Sequence, residues 1–561
     1  MNGIALLTIA VLAFIGGYFI YSRYLGKILG IDAKKATPAV VKRDGVDYVP
    51  AHPVVLFGHH FAAIAGAGPI VGPVLAAEFG WASVALWIIL GCIFIGAAHD
   101  MIALFLSVRH EGRSIGSVIG TILGKPGKLL FLLFSWSALI LVVAAFSSMI
   151  AGTFVADPGI ATASLLFIAE AILFGLCVYR FKISVLVASL IFVPLMFAFV
   201  WIGNLIPLDL QALLGLSAVQ TKTVWIIVLL VYCFFASTCP VWILLQPRDY
   251  LNAYLLYAMM ALGFIGVFVA SPVLQLPAFS GFSVEKIVGG KTIVDNLFPF
   301  LFVTVACGAC SGFHALVASG TSAKQLDSEK NIRPIAYGGM LLEGVLAIIA
   351  LVGVAGTFAS QEEYAMALSK MEAVQIFAAA IAGFSAKIGI PLKVAESFML
   401  LSVSAFLMTT VDAGTRLARF SWQELIGGAK GAAAGVARNM YVGTALVCAL
   451  AGALLLGSPS ATANLWTIFA SANQLLASLT LLSATLWFIR TGRKRWSTIT
   501  AVPMAFMLCI SGWALGAIWT KAFANGSWLI LFASSFLMVL AIVLIALAIG
   551  KVSDNGREEK I

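Results

Sequence analysis

The chain contains about fifteen apolar runs of roughly 20 residues, the length a helix needs to cross the hydrocarbon core of a bilayer. They lie near 4–22, 54–78, 82–107, 128–152, 162–179, 183–203, 224–245, 251–271, 297–320, 336–357, 393–411, 438–457, 464–489, 499–520 and 527–550. In lipid every backbone N–H and C=O must be satisfied within the protein, which leaves helices and closed barrels. A barrel needs short alternating segments with a polar lumen face, and this chain lacks them. Composition agrees: 61% of the 561 residues are hydrophobic, 10% are charged and the mean hydropathy is +1.05. A soluble protein carries about 25% charge. The expected fold is an all-α polytopic membrane protein with about 15 transmembrane helices embedded in a lipid bilayer.

Charge then sets orientation. Arg23, Lys27, Lys34, Lys35, Lys42 and Arg43 follow the first run, and further basic loops hold Arg109, Arg113 and Lys125, Arg180 and Lys182, and Arg248. Later ones hold Lys324, Lys330 and Arg333, then Arg416, Arg419 and Lys430, then Arg490, Arg493, Lys494 and Arg495. The alternate loops are neutral or acidic, as at Asp157 or Glu362 and Glu363. The positive-inside rule puts the amino terminus outside and the carboxyl terminus in the cytoplasm. The net charge of +10 therefore reflects topology, and no nucleic-acid partner is expected. Met1 to Tyr21 lacks a basic leading region and reads as a retained span. Met371 to Pro391 would reverse the later loops if it crossed, so it reads as an external helix lying on or capping the mouth. The eight cysteines all lie in apolar segments, and Cys307 and Cys310 read as small packing residues.

The run FGHHFAAIAGAGPIVGPVLAAEFGW, Phe57 to Trp81, is a poor uninterrupted helix. Gly66, Gly68, Pro69, Gly72 and Pro73 follow the adjacent His59 and His60. Each glycine costs roughly 1 kcal/mol of helix propensity and each proline about 3. Broken backbone at membrane depth survives where protein or a water-filled cavity satisfies it, commonly at a transport site. Three further stretches share this character. Ala236 to Tyr250 has Cys239 and Pro240, Thr304 to Gln325 has Gly308, Ser311, Gly312 and His314, and Thr409 to Arg416 has Thr409, Thr410 and an Asp412–Arg416 pair four apart. Substrate-binding candidates are thus His59, His60, Gly66, Gly68, Pro69, Gly72, Cys239, Pro240, Ser311 and His314. The alternative is that small residues merely let helices pack closely.

An ionised group at the bilayer centre costs at least about 2.5–3.5 kcal/mol, so it needs a partner. Glu343 and Glu396 are expected to serve ion coupling, with Thr409, Thr410 and Asp412 beside them. Asp100, Asp412 and Arg416 also fit structural pairing, and Glu170 lies mid-span. Imidazole suits proton relay, whereas Thr409 and Thr410 offer hard oxygen ligands for Na⁺. No Walker sequence or H-E-x-x-H metal motif occurs, so neither enzymatic activity nor a cofactor is expected.

Several long motifs carry a family resemblance: DGVDYVPAHPVVLFGHHFAAIAGAGPIVGPVLAAEFGW (Asp44 to Trp81), HDMIALFLSVRHEGRSIG (His99 to Gly116) and LLQPRDYL (Leu244 to Leu251). It continues in NLFPFLFVTVACGACSGFHALVASGTSAKQ (Asn296 to Gln325), YGGMLLE (Tyr337 to Glu343), TTVDAGTRLARF (Thr409 to Phe420) and LWTIFASANQLLA (Leu465 to Ala477). The chain resembles the carbon starvation protein A family along nearly its whole length, as a short form with less sequence around Met371 to Pro391 and without an extra amino-terminal span. The resemblance implies an importer of peptides or pyruvate in the bacterial inner membrane, used when carbon runs short, with proton coupling in pyruvate-carrying relatives. It also implies a LeuT/APC-like core of two inverted five-helix repeats plus peripheral helices. Run 54–78 would open one repeat and run 224–245, with Pro240, the other; a rival register makes 297–320 the second opener. The expected organisation is a first span and basic linker (1–53), a transport core (54–411) and carboxyl-terminal helices with a tail (412–561). Its partners are a small carboxylate or peptide substrate and H⁺, with Na⁺ as the alternative ion. A nutrient sensor or a channel is the rival reading.

Overall fold

A computed structural model describes residues 1–44, 48–240, 242–288, 291–428, 431–457 and 459–558. Lys430 of the expected basic loop and the last residues of the tail lie outside them. Among the described residues, twelve helices are long and apolar enough to cross a membrane, and one bent pair adds a thirteenth. The other two expected runs are the 17-residue helix Met440–Leu456 and the segment 297–320, which is divided into short helices.

In chain order the elements are α1 (Gly3–Leu29), α2 (Pro53–Ile64), α3 (Gly68–Ala76), α4 (Trp81–Arg109), α5 (Ile115–Ala156), α6 (Pro158–Arg180) and α7 (Val185–Leu205). Then come α8 (Ala218–Thr238), α9 (Leu245–Ala270) and the antiparallel hairpin β1 (Ser283–Val288) and β2 (Lys291–Asn296). They are followed by α10 (Leu297–Thr304), α11 (Ala306–Ala309), α12 (Gly312–Gly320), α13 (Glu329–Thr357), α14 (Gln361–Lys370) and α15 (Ala373–Ala386). Last are α16 (Leu392–Ile426), α17 (Met440–Leu456), α18 (Leu465–Arg490), α19 (Thr498–Ala524) and α20 (Trp528–Lys551).

Burial separates centre from rim. The most apolar windows of α18, α16, α13 and α5 are 94, 89, 83 and 78% buried, against 28% for α7 and 33% for α1, α8, α19 and α20. Apolar helices with so little protein contact have to face lipid, so the four buried helices form the core around α2 and α3. The helix α16 runs through the expected boundary at 411/412, and beyond it α18 is the most buried of the twelve spanning helices. The long α5 breaks at Gly124, whose φ of 79° only glycine adopts readily, two residues before Pro126.

The basic loops meet at one end of the bundle. Arg109 donates to the Gly30 carbonyl and pairs with Glu329 at 3.0 Å, and Arg493 donates to the Ile28 and Leu29 carbonyls. At the other end the 271–281 loop bonds to the backbone of Met1, Gly3, Trp81 and Ala82. Near that second end lies α15, with Glu372 against Gly152 and Phe384 against Gly266 and Gly356. It is buried between α3, α9, α13 and α16 and exposes little surface to lipid.

One expectation is overturned. The helix α8 is continuous, and Pro240 is an exposed residue beyond its end, so 224–245 is not a proline-broken span. The second segment broken in its middle is 297–320.

Candidate functional site

The first break separates α2 from α3 with a bend of 43°. Ala65 leaves the helical region at ψ 61°, and α3 restarts at Gly68 with Pro69 in its first turn, where a missing N–H is no loss. The glycines around it have distinct duties. A Cβ at Gly68 would stand 2.2 Å from the Cys307 Cβ, and one at Gly72 would stand 2.7 Å from the Thr304 carbonyl oxygen. Gly91 and Gly96 of α4 are as close to Ala309 from the other side. Three glycines on two helices thus cradle the single turn α11, Gly72 seats the Thr304–Val305 link before it, and Cys92 donates to the Gly308 carbonyl across the seam at 3.0 Å. Gly68 and Gly72 are therefore covered packing positions rather than open substrate contacts. Gly66 differs, since it faces the Thr410 hydroxyl, 2.8 Å from a built Cβ, with Phe146 next nearest.

This packing gives a testable cost. Gly68→Ala should lower the apparent Tm of the detergent-solubilised protein, because overpacking costs roughly 1–3 kcal/mol. Gly383→Ala, with open space around it, should leave the Tm where it is. An unchanged Tm for Gly68→Ala would mean that the two broken segments are not in contact.

The second break is held from α18. Asn473 Oδ1 accepts from the Phe313 N–H at 2.8 Å, and its Nδ2 donates to Ser311 Oγ at 3.0 Å and Cys307 Sγ at 3.2 Å. Gln474 donates to the Phe302 carbonyl at 3.1 Å. These two amides replace bonds that α10, α11 and α12 lose where the helix stops and restarts. Ser311 is thus tied to the scaffold.

One turn into α12, His314 lies between two carboxylates. Its Nδ1 is 2.8 Å from Asp100 Oδ2 on α4, and its Nε2 is 3.2 Å from Glu343 Oε2 on α13. The Glu343 contact lies within ion-pair range but off the line of a hydrogen bond, and neither Glu343 oxygen has a hydrogen-bond donor. His99 Nδ1 donates to the other Asp100 oxygen at 2.7 Å. His99, Asp100, His314 and Glu343 are each 0–1% exposed, so solvent screens none of them. His60 is buried beside this group and bonds Ser322 Oγ at 2.7 Å. Asp100, which from the sequence also fits structural pairing, joins two histidines.

A second buried cluster joins α8, α9 and α16. Arg248 pairs with Asp412 at 2.5 Å, each side chain 1% exposed. Tyr232 donates to the same Asp412 oxygen at 2.7 Å and also contacts Arg248. Thr409 Oγ1 accepts from Arg248 at 3.1 Å and from Asn252 at 2.5 Å, which occupies an oxygen that the alternative ion, Na⁺, could have used. Asp412 does not close on Arg416 along its own helix. Arg416 donates to the Ala236 and Cys239 carbonyls and Arg419 to the Ser237 carbonyl, so the two arginines cap the end of α8. Cys239 belongs to this cap, and Pro240 is exposed just beyond it. Glu396, also expected to couple ions, borders a rim cavity with Lys393, Asp157 and Asn204, away from His314.

Two cavities approach the first break from opposite ends. One of about 390 Å³ reaches Val71 of α3 and is lined by Ser148, Lys222, Glu372 and Trp466. One of about 560 Å³ opens among the basic loops at Arg113 and Lys324 and reaches His59 and Ala63 of α2, Asp249 and Arg416. Ala65 and Ala67, between them, are fully buried. The sequence reading gave no site role to Asn473, Tyr232, Asn252 or Asp249, although each is a polar residue inside or bordering an apolar run.

The fold and site define a polytopic α-helical membrane protein whose two broken segments meet beside a buried cluster of ionisable side chains. The chain belongs to the carbon starvation protein CstA family, which it matches over residues 2–370 and 357–514. It is 33% identical to the peptide transporter CstA of Campylobacter jejuni, over 91% of this chain and 79% of that one. It is 32% identical to the pyruvate/proton symporter BtsT of Escherichia coli (90% and 80%) and 31% identical to the peptide transporter CstA of Bacillus subtilis (90% and 89%). Among solved structures, MhsT in complex with L-phenylalanine aligns at a TM-score of 0.46 and 12% identity, covering 88% of this chain and 99% of that one.

Proposed function

We propose that this protein is a secondary active importer of small carbon sources, peptides or pyruvate, coupled to protons. It works in the bacterial inner membrane when carbon is scarce, with its amino terminus outside and its carboxyl terminus in the cytoplasm. The observation that carries the reading is His314, held between Asp100 and Glu343 at the foot of the second broken segment. An imidazole with a carboxylate at each ring nitrogen can hold a proton as a cation and hand it to one side without leaving its place. Relatives named as peptide transporters and as a pyruvate/proton symporter support the same class of work.

The cargo site lies at the break, between the two cavities. A substrate carboxylate there would meet the amino-terminal end of α3, whose dipole favours an anion, and the Thr410 hydroxyl beside Gly66. Phe146, stacked on Trp466, would close over its apolar part. The facing broken segments support two inverted five-helix repeats opened by 54–78 and 297–320, the rival register of the two. Cargo bound at the break would shift the ionisable cluster, and alternating access would follow from moving the broken helices against α5, α16 and α18.

Reconstitution into proteoliposomes tests this. An inward proton gradient should accumulate pyruvate or dialanine above its equilibrium level, and a protonophore should abolish the accumulation. Accumulation driven by Na⁺ and indifferent to the protonophore would overturn proton coupling, and bare equilibration would make the protein a channel.

A further inference from the structure

The basic-end cavity holds a carboxylate that neither the His314 cluster nor the cargo site uses. Asp249 is 5% exposed and its Oδ1 has no hydrogen-bond partner. Its Oδ2 stands 3.9 Å from Nδ1 of His59, too far for a direct bond and close enough that a small side-chain movement would make one. Both residues line the 560 Å³ cavity. The His59 Nε2 is likewise buried without a partner. The charged groups facing Asp249 are Arg248 on its own helix, Asp412 and Arg416 on α16 and His59 on α2. Arg248 is committed to Asp412, and Arg416 to the carbonyls ending α8, so neither forms an ion pair with Asp249.

His59 and His60 are consecutive but look opposite ways. His60 turns inward to Ser322 and the Asp100–His314 pair, while His59 turns to Asp249 and the cavity. The helix α2 therefore carries a titratable group on each side of the wall separating the buried cluster from the cavity. We propose that Asp249 is the proton-release residue of the transport cycle, taking the coupling proton from the His60–His59 side and passing it to water at the basic end.

This rests on the proton-coupled reading above. In the step, an N–H bond on imidazole breaks as an O–H bond forms on Asp249. That O–H then breaks to give hydronium, and the carboxylate is restored for the next cycle. Asp249 lines the basic-end cavity and lies outside the proposed cargo site at Gly66 and Thr410, so its loss should stop net proton flow without stopping cargo exchange.

The full-length chain in proteoliposomes separates the two. With pyruvate and dialanine as probes, Asp249→Asn and Asp249→Ser should lose at least ten-fold in uptake driven by an inward proton gradient. Counterflow at equal pH on both sides, which needs no net proton release, should persist within two-fold. Asp249→Glu should regain gradient-driven uptake. Equal losses in both assays, or no loss in either, would overturn the proposal, as would absence of both variants from the membrane, which would make Asp249 a folding residue. If wild-type uptake ignores the protonophore, the coupling reading itself fails, and that appears before any variant is measured.

Discussion

His314→Gln should abolish proton-driven accumulation while the protein still inserts and folds. Glutamine can keep one hydrogen bond to Asp100, but it cannot bind the proton that imidazole shares between Asp100 and Glu343. The expected loss of gradient-driven uptake is at least ~100-fold, the lower end of what a positioned proton-transfer group contributes. Uptake in proteoliposomes, normalised to protein detected in the membrane, is the measurement. Accumulation within a few-fold of wild type would remove His314 from the coupling site and leave the cluster a structural one.

The largest expected effect on stability is at Arg248. Arg248→Met leaves Asp412 in a fully packed place with its cation gone, and breaking one side of a buried pair costs about 3–5 kcal/mol. Tyr232 and Asn252 keep their hydroxyl and amide contacts, so the damage should centre on the stranded charge. The double variant Arg248→Met/Asp412→Leu removes both charges and should recover much of the loss, since replacing a buried pair by apolar groups is often neutral. Thermal unfolding in detergent, followed by size-exclusion fluorescence, reads both. A single variant as stable as wild type would mean that Arg416, held at the α8 cap, turns to Asp412 when Arg248 is gone.

Much of this protein is legible in its sequence because lipid enforces a simple rule. A backbone that cannot bond to water must bond to itself, so runs of about 20 apolar residues become helices and the run list predicts the element list. The break at Ala65–Ala67 was equally visible, since Gly66, Gly68, Pro69, Gly72 and Pro73 crowd a span too apolar to be a loop. Pro240 misled for a related reason: a proline is as compatible with the end of a helix as with its interior, and only α8 decides between them. The glycines carried the same ambiguity. Gly66 faces Thr410 at the break, whereas Gly68 makes room for α11 and Gly72 for the Thr304–Val305 link before it, and sequence spacing alone separates none of them.

Ionisable pairing was the least legible part. His314 and Glu343 stand out as polar residues in apolar runs, but Asp100 comes from a helix more than 200 residues away in the chain and fits structural pairing as well. Asp412 and Arg416 sit at helix-pair spacing yet take partners from α9 and α8 instead. The sequence by itself determined that this chain is a bundle of membrane helices, where its first break falls and which face of the bundle is basic. Those properties follow from local composition against the solvent. Only the tertiary structure decided which broken segments meet, which glycines are covered and which carboxylate faces which histidine. These depend on side chains that approach from distant parts of the chain, where burial makes every unpaired charge costly and so selects one arrangement.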